Sequence, residues 1–352
     1  MIDILKDILT YISGLWTLPW ILIGFVVTII LCRFIDEQKM DRVMKKIGLV
    51  LLYFFIPVLI FRIFLDRDFG TNEIKFTIVS CIVIFFMYTL AYIFSKYKAE
   101  KLKLKGASKQ EFIKSVLTNQ GRSTAFIGGA LLASPWYIEA AIFIALVGVA
   151  LFAIIPGLLS YMHKKETVKS DENIHALPWH LRLYPWYLLM FAIAGIVLHK
   201  TTGVKMEDFG DIGSIVIFYT ALTIPAALFY VGADIHPHDL KISELKKLFY
   251  LNHDHKSKDH WSWVRNIFLI TVVITPLSIS IVFGLLYIVG LISAGWLAVI
   301  VINSILPITS TNMFLVPYGI NKKVTALSIT WTTIICVPVV VLLITVFGIY
   351  LV

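Results

Sequence analysis

Charged residues are scarce in this chain of 352 residues, of which they make up 15%, whereas a soluble domain carries about 25%. Hydrophobic residues make up 59%. Apolar runs of about 20 residues recur along the whole chain, and that length matches the hydrocarbon thickness of a bilayer. Because a backbone in lipid must satisfy its own hydrogen bonds, these runs must be helices. The composition excludes a soluble domain and predicts an all-α polytopic membrane protein in the lipid bilayer.

The chain also has few cysteines and none of the common catalytic motifs. Cys32, Cys81 and Cys336 all lie inside or at the edge of apolar runs, and no CxxC pair occurs. The sequence therefore indicates neither a disulfide framework nor a zinc site. HExxH, GxSxG and deep paired carboxylates are missing as well. We expect no catalytic residue, no metal and no cofactor, and a membrane receptor or intramembrane enzyme stays open as an alternative of another class.

Ten membrane spans are predicted, and their ends are uncertain by several residues. The run at 263–290 contains Thr275-Pro276, which favours one kinked or tilted helix over two spans. The spans fall into two five-helix halves, at 1–165 and 184–352, joined by a cytoplasmic linker at 166–183. The predicted spans cover about 15–35, 45–64, 74–95, 112–134, 138–162, 184–200, 212–233, 263–290, 294–318 and 325–351.

The net charge of +9 does not indicate a nucleic-acid partner, because most basic residues lie in short loops on one side of the predicted spans. The positive-inside bias makes those loops cytoplasmic, so both termini are predicted to lie outside the plasma membrane. Five histidines fall in one of these loops, at 234–262, where solvated side chains are a better reading than a metal site. The basic loops are 36–44, 96–111, 163–183, 234–262 and 319–324.

A short motif repeats in the second span of each half. Ile56-Pro57 is followed by Phe61, and Ile224-Pro225 is followed at the same spacing by Phe229. With five spans in each half, the second half enters the membrane from the opposite side, so the repeat is inverted. Inverted repeats are typical of alternating-access carriers.

Two polar stretches interrupt the fourth span of each half, at 119–129 and 303–312. Glycines weaken the first helix, and Pro307 breaks the second. Freed backbone groups must be buried in protein or face water, so we expect the two broken spans to meet inside the protein and form a binding site. Alternatively, the hydroxyls only cap their own helices and permit close packing. The candidate binding residues are Asn119, Arg122, Ser123, Gly128, Gly129, Pro307, Thr309, Ser310, Thr311 and Asn312.

Arg122 is the only Lys or Arg placed well inside a predicted span. It lies about ten residues from the cytoplasmic end, or some 15 Å along a helix. A charge at that depth costs about 2.5–3.5 kcal/mol on the insertion scale, and no acid is near it in sequence. We expect its guanidinium to bind an anion. The alternatives are an ion pair with an acid from another span, or a side chain that reaches the cytoplasmic surface.

Four motifs together resemble the auxin efflux carrier family, within the superfamily that also holds the bile-acid transporters. They are the segments 52–61, 120–129, 225–234 and 306–318, and their order covers nearly the whole chain. Two positions depart from the family pattern. Ala130 follows Gly129 where the family has proline, and Ser123 stands where it has asparagine.

The resemblance implies ten helices, with spans four and nine unwound where they cross. It also implies a scaffold of spans one, two, six and seven, and a mobile remainder that works as an elevator. The expected function is transport, in the direction of export, of a small organic anion by a homodimer. A sodium-coupled symporter of the bile-acid type is the alternative, and the sequence does not decide between Na⁺, H⁺ and no coupling ion.

Overall fold

The computed structural model describes residues 19–35, 37–66, 70–123, 134–167, 179–233, 260–309 and 318–350, together with positions 8, 312, 315 and 316. All regular secondary structure in these segments is helical, apart from one isolated backbone bridge. The α-helices are α1 Pro19–Leu31, α2 Glu37–Val50, α3 Ile56–Leu65, α4 Thr71–Lys101, α5 Gly106–Thr118, α6 Tyr137–Val149, α7 Ile155–Thr167, α8 Trp179–Thr202, α9 Gly210–Ala233, α10 His260–Phe268, α11 Thr275–Ile288, α12 Ala294–Ile305 and α13 Lys322–Tyr350.

Four helices in the described segments are long and apolar enough to cross a membrane: Arg42–Leu65, Thr71–Lys101, His260–Ile288 and Lys322–Tyr350. A fifth candidate is the pair Trp186–Thr202 and Met206–Thr223, which is bent by 83° at its break. Shorter apolar helices occur at Leu22–Leu31, Tyr137–Val149 and Ala294–Ile305. The predicted class, an all-α membrane protein, is therefore confirmed, whereas the number of ten spans stays a prediction.

Three of the long helical rods contain a π-helical turn directly before a proline. The π segments are Leu51–Phe55 between α2 and α3, Ala150–Ile154 between α6 and α7, and Leu269–Ile274 between α10 and α11. In each rod the proline is the second residue after the π segment. Proline has no N–H and its ring clashes with the preceding turn, and a wider turn relieves that clash. The run predicted at 263–290 is accordingly one helical rod, His260–Ile288.

Two glycines bring helices from distant parts of the chain into backbone contact. A methyl group on Gly24 of α1 would overlap the carbonyl oxygen of Phe229 in α9, and one on Gly195 of α8 would lie 2.6 Å from the carbonyl oxygen of Phe61 in α3. We call the α1–α9 and α3–α8 contacts the glycine seams. Through them and the contacts of α9 with α2 and α3, the four rods pack on one another.

Hydrogen bonds also connect this group of helices near the end of α3. Arg62 Nη1 donates to the carbonyl oxygen of Ile217 at 3.0 Å and to Thr220 Oγ1 at 2.8 Å, both in α9. The Met206 backbone N–H donates to Asp66 Oδ1 at 2.8 Å. These bonds join parts of the chain about 140 to 160 residues apart, so both halves of the chain contribute to each contact.

The remaining helices surround the ends of α5 and α12. Helix α4 packs along α5 and α6, α11 packs along α12, and α13 contacts both α10 and α12. A cluster of apolar side chains fixes α5 against α10, in which the rings of Phe112 and Trp263 lie 5.3 Å apart in an edge-to-face arrangement. This packing holds the two broken stretches next to each other. The histidine-rich loop before His260 lies outside the described residues.

Candidate functional site

The two polar stretches singled out from the sequence meet in the structure. Helix α5 ends at Thr118 and α12 ends at Ile305, and beyond those ends Arg122 and Ile308 form an antiparallel backbone bridge. The Ser123 N–H donates to the Pro307 carbonyl at 2.9 Å, and the Thr309 N–H donates to the Gly121 carbonyl at 3.0 Å. These bonds satisfy backbone groups that the broken helices leave free. We call this meeting point the crossover.

Gly121 leaves no room for a side chain at the crossover. A methyl group there would lie 2.8 Å from Asn312 Oδ1 and 2.8 Å from Leu151 Cδ1. A third element, α13, supports the crossover, because Thr332 Oγ1 accepts the Ile308 N–H at 3.2 Å and Thr325 Oγ1 accepts a hydrogen bond from Asn119 Nδ2 at 3.3 Å. One added carbon at Gly121 would thus require the ends of the Asn312 and Leu151 side chains to move.

Arg122 is buried at the centre of the crossover, with 1% of its surface exposed. Its Nη1 donates to the Leu306 carbonyl at 3.3 Å and its Nη2 to the Thr271 carbonyl at 3.1 Å, while its Nε has no partner among the described residues. Within the described segments no carboxylate forms an ion pair with it. Burial excludes the surface-reaching alternative, and the charge meets only neutral carbonyl groups in this part of the chain.

The carbonyl of Thr271 is available to Arg122 because of Pro276. At the end of the π segment, the Thr275 N–H donates to the Ile270 carbonyl, so it is not donated to the Thr271 carbonyl. The next N–H in line would belong to residue 276, and proline has none. The carbonyl of Thr271 therefore loses its donors within the helix and accepts from the arginine instead. The proline that follows this π segment thus also frees the acceptor of the arginine.

Several buried polar atoms around the crossover have no hydrogen-bond partner. Such atoms are rare in folded proteins, since each costs about 1–3 kcal/mol. Water, an ion or a ligand commonly supplies the missing partner. Besides Arg122 Nε, the unpartnered atoms on the two crossing stretches are Asn119 Oδ1, Gln120 Oε1, Asn303 Oδ1 and both side-chain polar atoms of Asn312.

Six of the ten predicted site residues come together at this point. They are all buried, and they contribute backbone bonds, side-chain bonds or unpartnered atoms to the crossover: Asn119, Arg122, Ser123, Pro307, Thr309 and Asn312. The other four predicted site residues, Gly128, Gly129, Ser310 and Thr311, lie outside the described residues.

Sequence reasoning missed the partners of these residues on other helices. Gln120 Nε2 donates to Thr271 Oγ1 at 3.2 Å, and Thr325 and Thr332 are contributed by α13. The dipeptide Thr275-Pro276 carried the usable signal, because a proline within a long apolar run leaves a carbonyl free nearby.

Two other basic residues lie buried or half-buried in the described helices. Lys114 in α5 is 2% exposed, and Arg62 in α3 is half-buried. Arg62 has the acidic residue Asp66 as a neighbour. Lys114 lies in the last turns before the crossover and takes part in a further contact of its own. Arg122 differs from Arg62 in having no acidic neighbour among the described residues.

A small cavity adjoins the crossover. Its volume is about 10 Å³, and Arg122 and Gln120 line it together with Ile84, Tyr88 and Ala150 among others. That space holds about one water molecule. Across the described segments, no group of three or more histidine, cysteine or acidic side chains could hold a metal ion.

No protein-family model matches the chain, and no curated protein matches it either.

Proposed function

We propose that the chain is a transporter of a small organic anion, bound where the two broken helices cross. One observation carries this proposal: Arg122 is buried and has no carboxylate partner among the described residues. A buried charge is costly unless it is paired, and its Nε–H has no acceptor. A carboxylate that docks there would supply both the missing charge and the missing acceptor, in a charge-assisted hydrogen bond.

The unwound backbone beside the arginine supports transport over static binding. Irregular backbone within a membrane protein is tolerated where it is buried in protein or lines a cavity, and discontinuous helices of this kind form the substrate sites of many secondary transporters. The unpartnered amides of Asn119 and Asn312 would orient the anion. Enzymatic turnover has no support from the sequence motifs.

The packing of the helices supports an inverted repeat. The repeated motif ends in Phe61 in the first half and in Phe229 in the second, and each of these phenylalanine carbonyls meets a glycine of the other half. Gly195 approaches Phe61, and Gly24 approaches Phe229. An axis that exchanges the halves would interchange these two contacts. Such an axis in the membrane plane is typical of alternating-access carriers.

The same packing suggests how the carrier moves. Helices α1, α2–α3, α8 and α9 pack on one another, and they correspond to the spans expected to form the scaffold. The crossover lies in the other group of helices. We propose an elevator-type carrier of ten spans in the plasma membrane, with both termini outside, that resembles the auxin efflux carriers and exports its substrate.

The test is uptake into proteoliposomes of a radiolabelled panel of acetate, succinate and benzoate, for wild type and Arg122→Gln. We expect the variant to lose about 10–100-fold in uptake at low substrate concentration, the equivalent of one charge-assisted hydrogen bond. Anions should also raise the melting temperature of the wild type by mass action, and this stabilisation should disappear in Arg122→Gln.

Arg62→Gln is the matched control, because it removes the same charge from a half-buried arginine that lies beside an acid and away from the crossover. We expect Arg62→Gln to melt at a lower temperature but to keep its stabilisation by anions. If Arg122→Gln still carries every anion that the wild type carries, Arg122 is not the anion site and the proposal fails.

A sodium-coupled symporter is the second candidate, and the unpartnered side-chain oxygens favour it. Asn119 Oδ1, Gln120 Oε1 and Asn312 Oδ1 are buried without donors, and oxygen groups next to unwound helices hold Na⁺ in several carrier folds. Uptake measured in sodium and in choline medium separates the candidates. Equal uptake in the two media would exclude coupling to sodium.

A further inference from the structure

A long apolar groove opens on the side of the molecule between α4 and the α6–α7 rod. Its volume is about 530 Å³, within the range of roughly 300–1,000 Å³ that is typical of small-molecule sites. Exposed apolar side chains stand at its mouth, among them Phe85 at 73% and Ile154 at 59% exposure. Because α4 is long and apolar enough to cross a membrane, the mouth would face hydrocarbon.

The groove is elongated. Its lining residues on α4 extend from Cys81 to Tyr92, which corresponds to about 16 Å at 1.5 Å per residue. A groove of this length accommodates an extended hydrocarbon chain.

Only one layer of side chains separates the groove from the buried arginine. Ile84, Tyr88 and Ala150 line both the groove and the small cavity of the crossover. On its inner side, that cavity is lined by Arg122 and Gln120. Both of these residues are almost fully buried and each carries an unpartnered polar atom, Nε in one and Oε1 in the other. A single layer of side chains thus separates the apolar groove from the Arg122 guanidinium, which has no carboxylate partner among the described residues.

We propose that the groove binds the hydrocarbon chain of a long-chain monocarboxylic acid that enters from the bilayer. Its carboxylate reaches Arg122 when the side chains of Ile84 and Tyr88 swing into the free volume of the groove. This assignment rests on the proposed function and names its substrate class. A phospholipid fits less well, since the cavity of about 10 Å³ can widen for a carboxylate more readily than for a phosphodiester with its headgroup.

The probe is palmitic acid with a photoreactive diazirine at the end of its chain, added to the protein in phosphatidylcholine nanodiscs. We expect crosslinked peptides that contain residues 81–92 or 146–162. Unlabelled palmitic acid should compete at least about tenfold better than palmityl alcohol, because only the acid can pair with the guanidinium. Arg122→Gln should abolish that preference while the protein remains folded.

Two tryptophan variants on α4 test the location. Thr89 lines the groove and is half-buried, whereas Ile93 lies one turn further along and is exposed outside it. Thr89→Trp should fill the slot and reduce crosslinking at least about tenfold, and Ile93→Trp should leave it unchanged. Equal loss in both variants would overturn the assignment of the groove.

Other outcomes also overturn the proposal. Equal competition by acid and alcohol would mean that the groove holds any lipid chain without selecting its charge, and stronger competition by phosphatidic acid would indicate a phospholipid site.

Succinate uptake separates this proposal from the proposed function. If succinate uptake depends on Arg122 but the palmitic acid probe does not label the groove, only the groove assignment fails. If palmitate binds through Arg122 but no anion is translocated, the transport proposal fails.

Discussion

The two halves of the chain meet in two ways, at the glycine seams and at the crossover. At the seams, Gly24 and Gly195 lie directly against carbonyl groups of regular helices, whose own hydrogen bonds remain within the helix. At the crossover the helices have ended, and the two backbones bond to each other. Around that bond several side-chain atoms have no partner. The seams therefore gain only from close packing, whereas the crossover retains unused hydrogen-bonding capacity.

This difference indicates where the molecule tolerates change. A close-packed seam has one arrangement, because a backbone carbonyl cannot move aside without shifting a whole helix. A site with unpartnered polar atoms can gain by binding something. We therefore expect substitutions at the seams to affect stability alone, and substitutions at the crossover to affect ligand binding as well.

The largest effect is expected at the seams. Gly195→Ala places a methyl group 2.6 Å from the carbonyl oxygen of Phe61, and Gly24→Ala overlaps that of Phe229. Each should lower the free energy of unfolding by about 3 kcal/mol, at the upper end for overpacking. Denaturation in mixed detergent micelles measures it.

Gly284→Ala is the control for the seam variants. It lies in α11, where nothing is within 4 Å of the added carbon, so the substitution should stabilise the helix by about 0.5–1 kcal/mol. Opposite signs at the two kinds of glycine are the expected result. A loss of stability in Gly284→Ala as large as that in Gly195→Ala would mean that the loss does not come from the close contacts at the seams.

Gly121→Ala tests how tightly the crossover is packed. The new methyl group would contact Asn312 Oδ1 and Leu151 Cδ1, each at 2.8 Å. Because side chains can give way more easily than backbone, we expect a smaller loss of stability than at the seams, about 1–3 kcal/mol, together with reduced anion uptake. A variant that lost stability but bound anions with unchanged affinity would separate the packing of Gly121 from the binding site.

Thr332→Val tests the support that α13 gives to the crossover. The substitution removes the acceptor of the Ile308 N–H and should cost about 1–2 kcal/mol, since the buried N–H is left without a partner. Thr333→Val is the matched control, because the Thr333 hydroxyl donates to the Ile329 carbonyl of its own helix. Melting temperatures of the two variants should differ, and equal values would count against the role of Thr332.

Pro276→Ala should have the smallest effect on stability and a specific effect on binding. It restores an N–H that can bond the Thr271 carbonyl, so Arg122 loses an acceptor that orients it. We expect stability within about 1 kcal/mol of wild type and anion affinity several-fold weaker. Pro57→Ala changes the proline that follows the π segment of the α2–α3 rod, away from Arg122, and should leave the anion affinity unchanged. Equal affinities in both variants would refute the link between Pro276 and the arginine.

The helical class and the positions of the two breaks could be predicted from the sequence, because both follow from local composition. That the breaks meet was expected from the need to bury freed backbone groups. Long apolar runs require helices, and a cluster of glycine, proline and hydroxyl residues within such a run interrupts one. The depth of Arg122 in the membrane stays a prediction. The structure shows that the residue is buried in protein at the crossover.

What could not be predicted are the contacts between distant positions. The acceptors of Arg122 belong to Leu306 and Thr271, 184 and 149 residues away, and no local pattern pairs them. Thr275-Pro276 indicated a bend, but its release of a carbonyl depends on the bonding inside the π segment. The burial of Lys114 was missed because it depends on how α5 packs against its neighbours. The number of spans, the repeat and the substrate remain predictions.

The glycine seams also bear on how the chain is assembled during synthesis. Gly24 can contact Phe229 only after a further 205 residues have been synthesised. That synthesis takes about 10–40 s at ~5–20 residues per second. Until then the notch at Gly24 is open to lipid or to other helices. The first half therefore cannot complete its interface alone, and its first helix, α1, depends on α9 of the second half to be held in place.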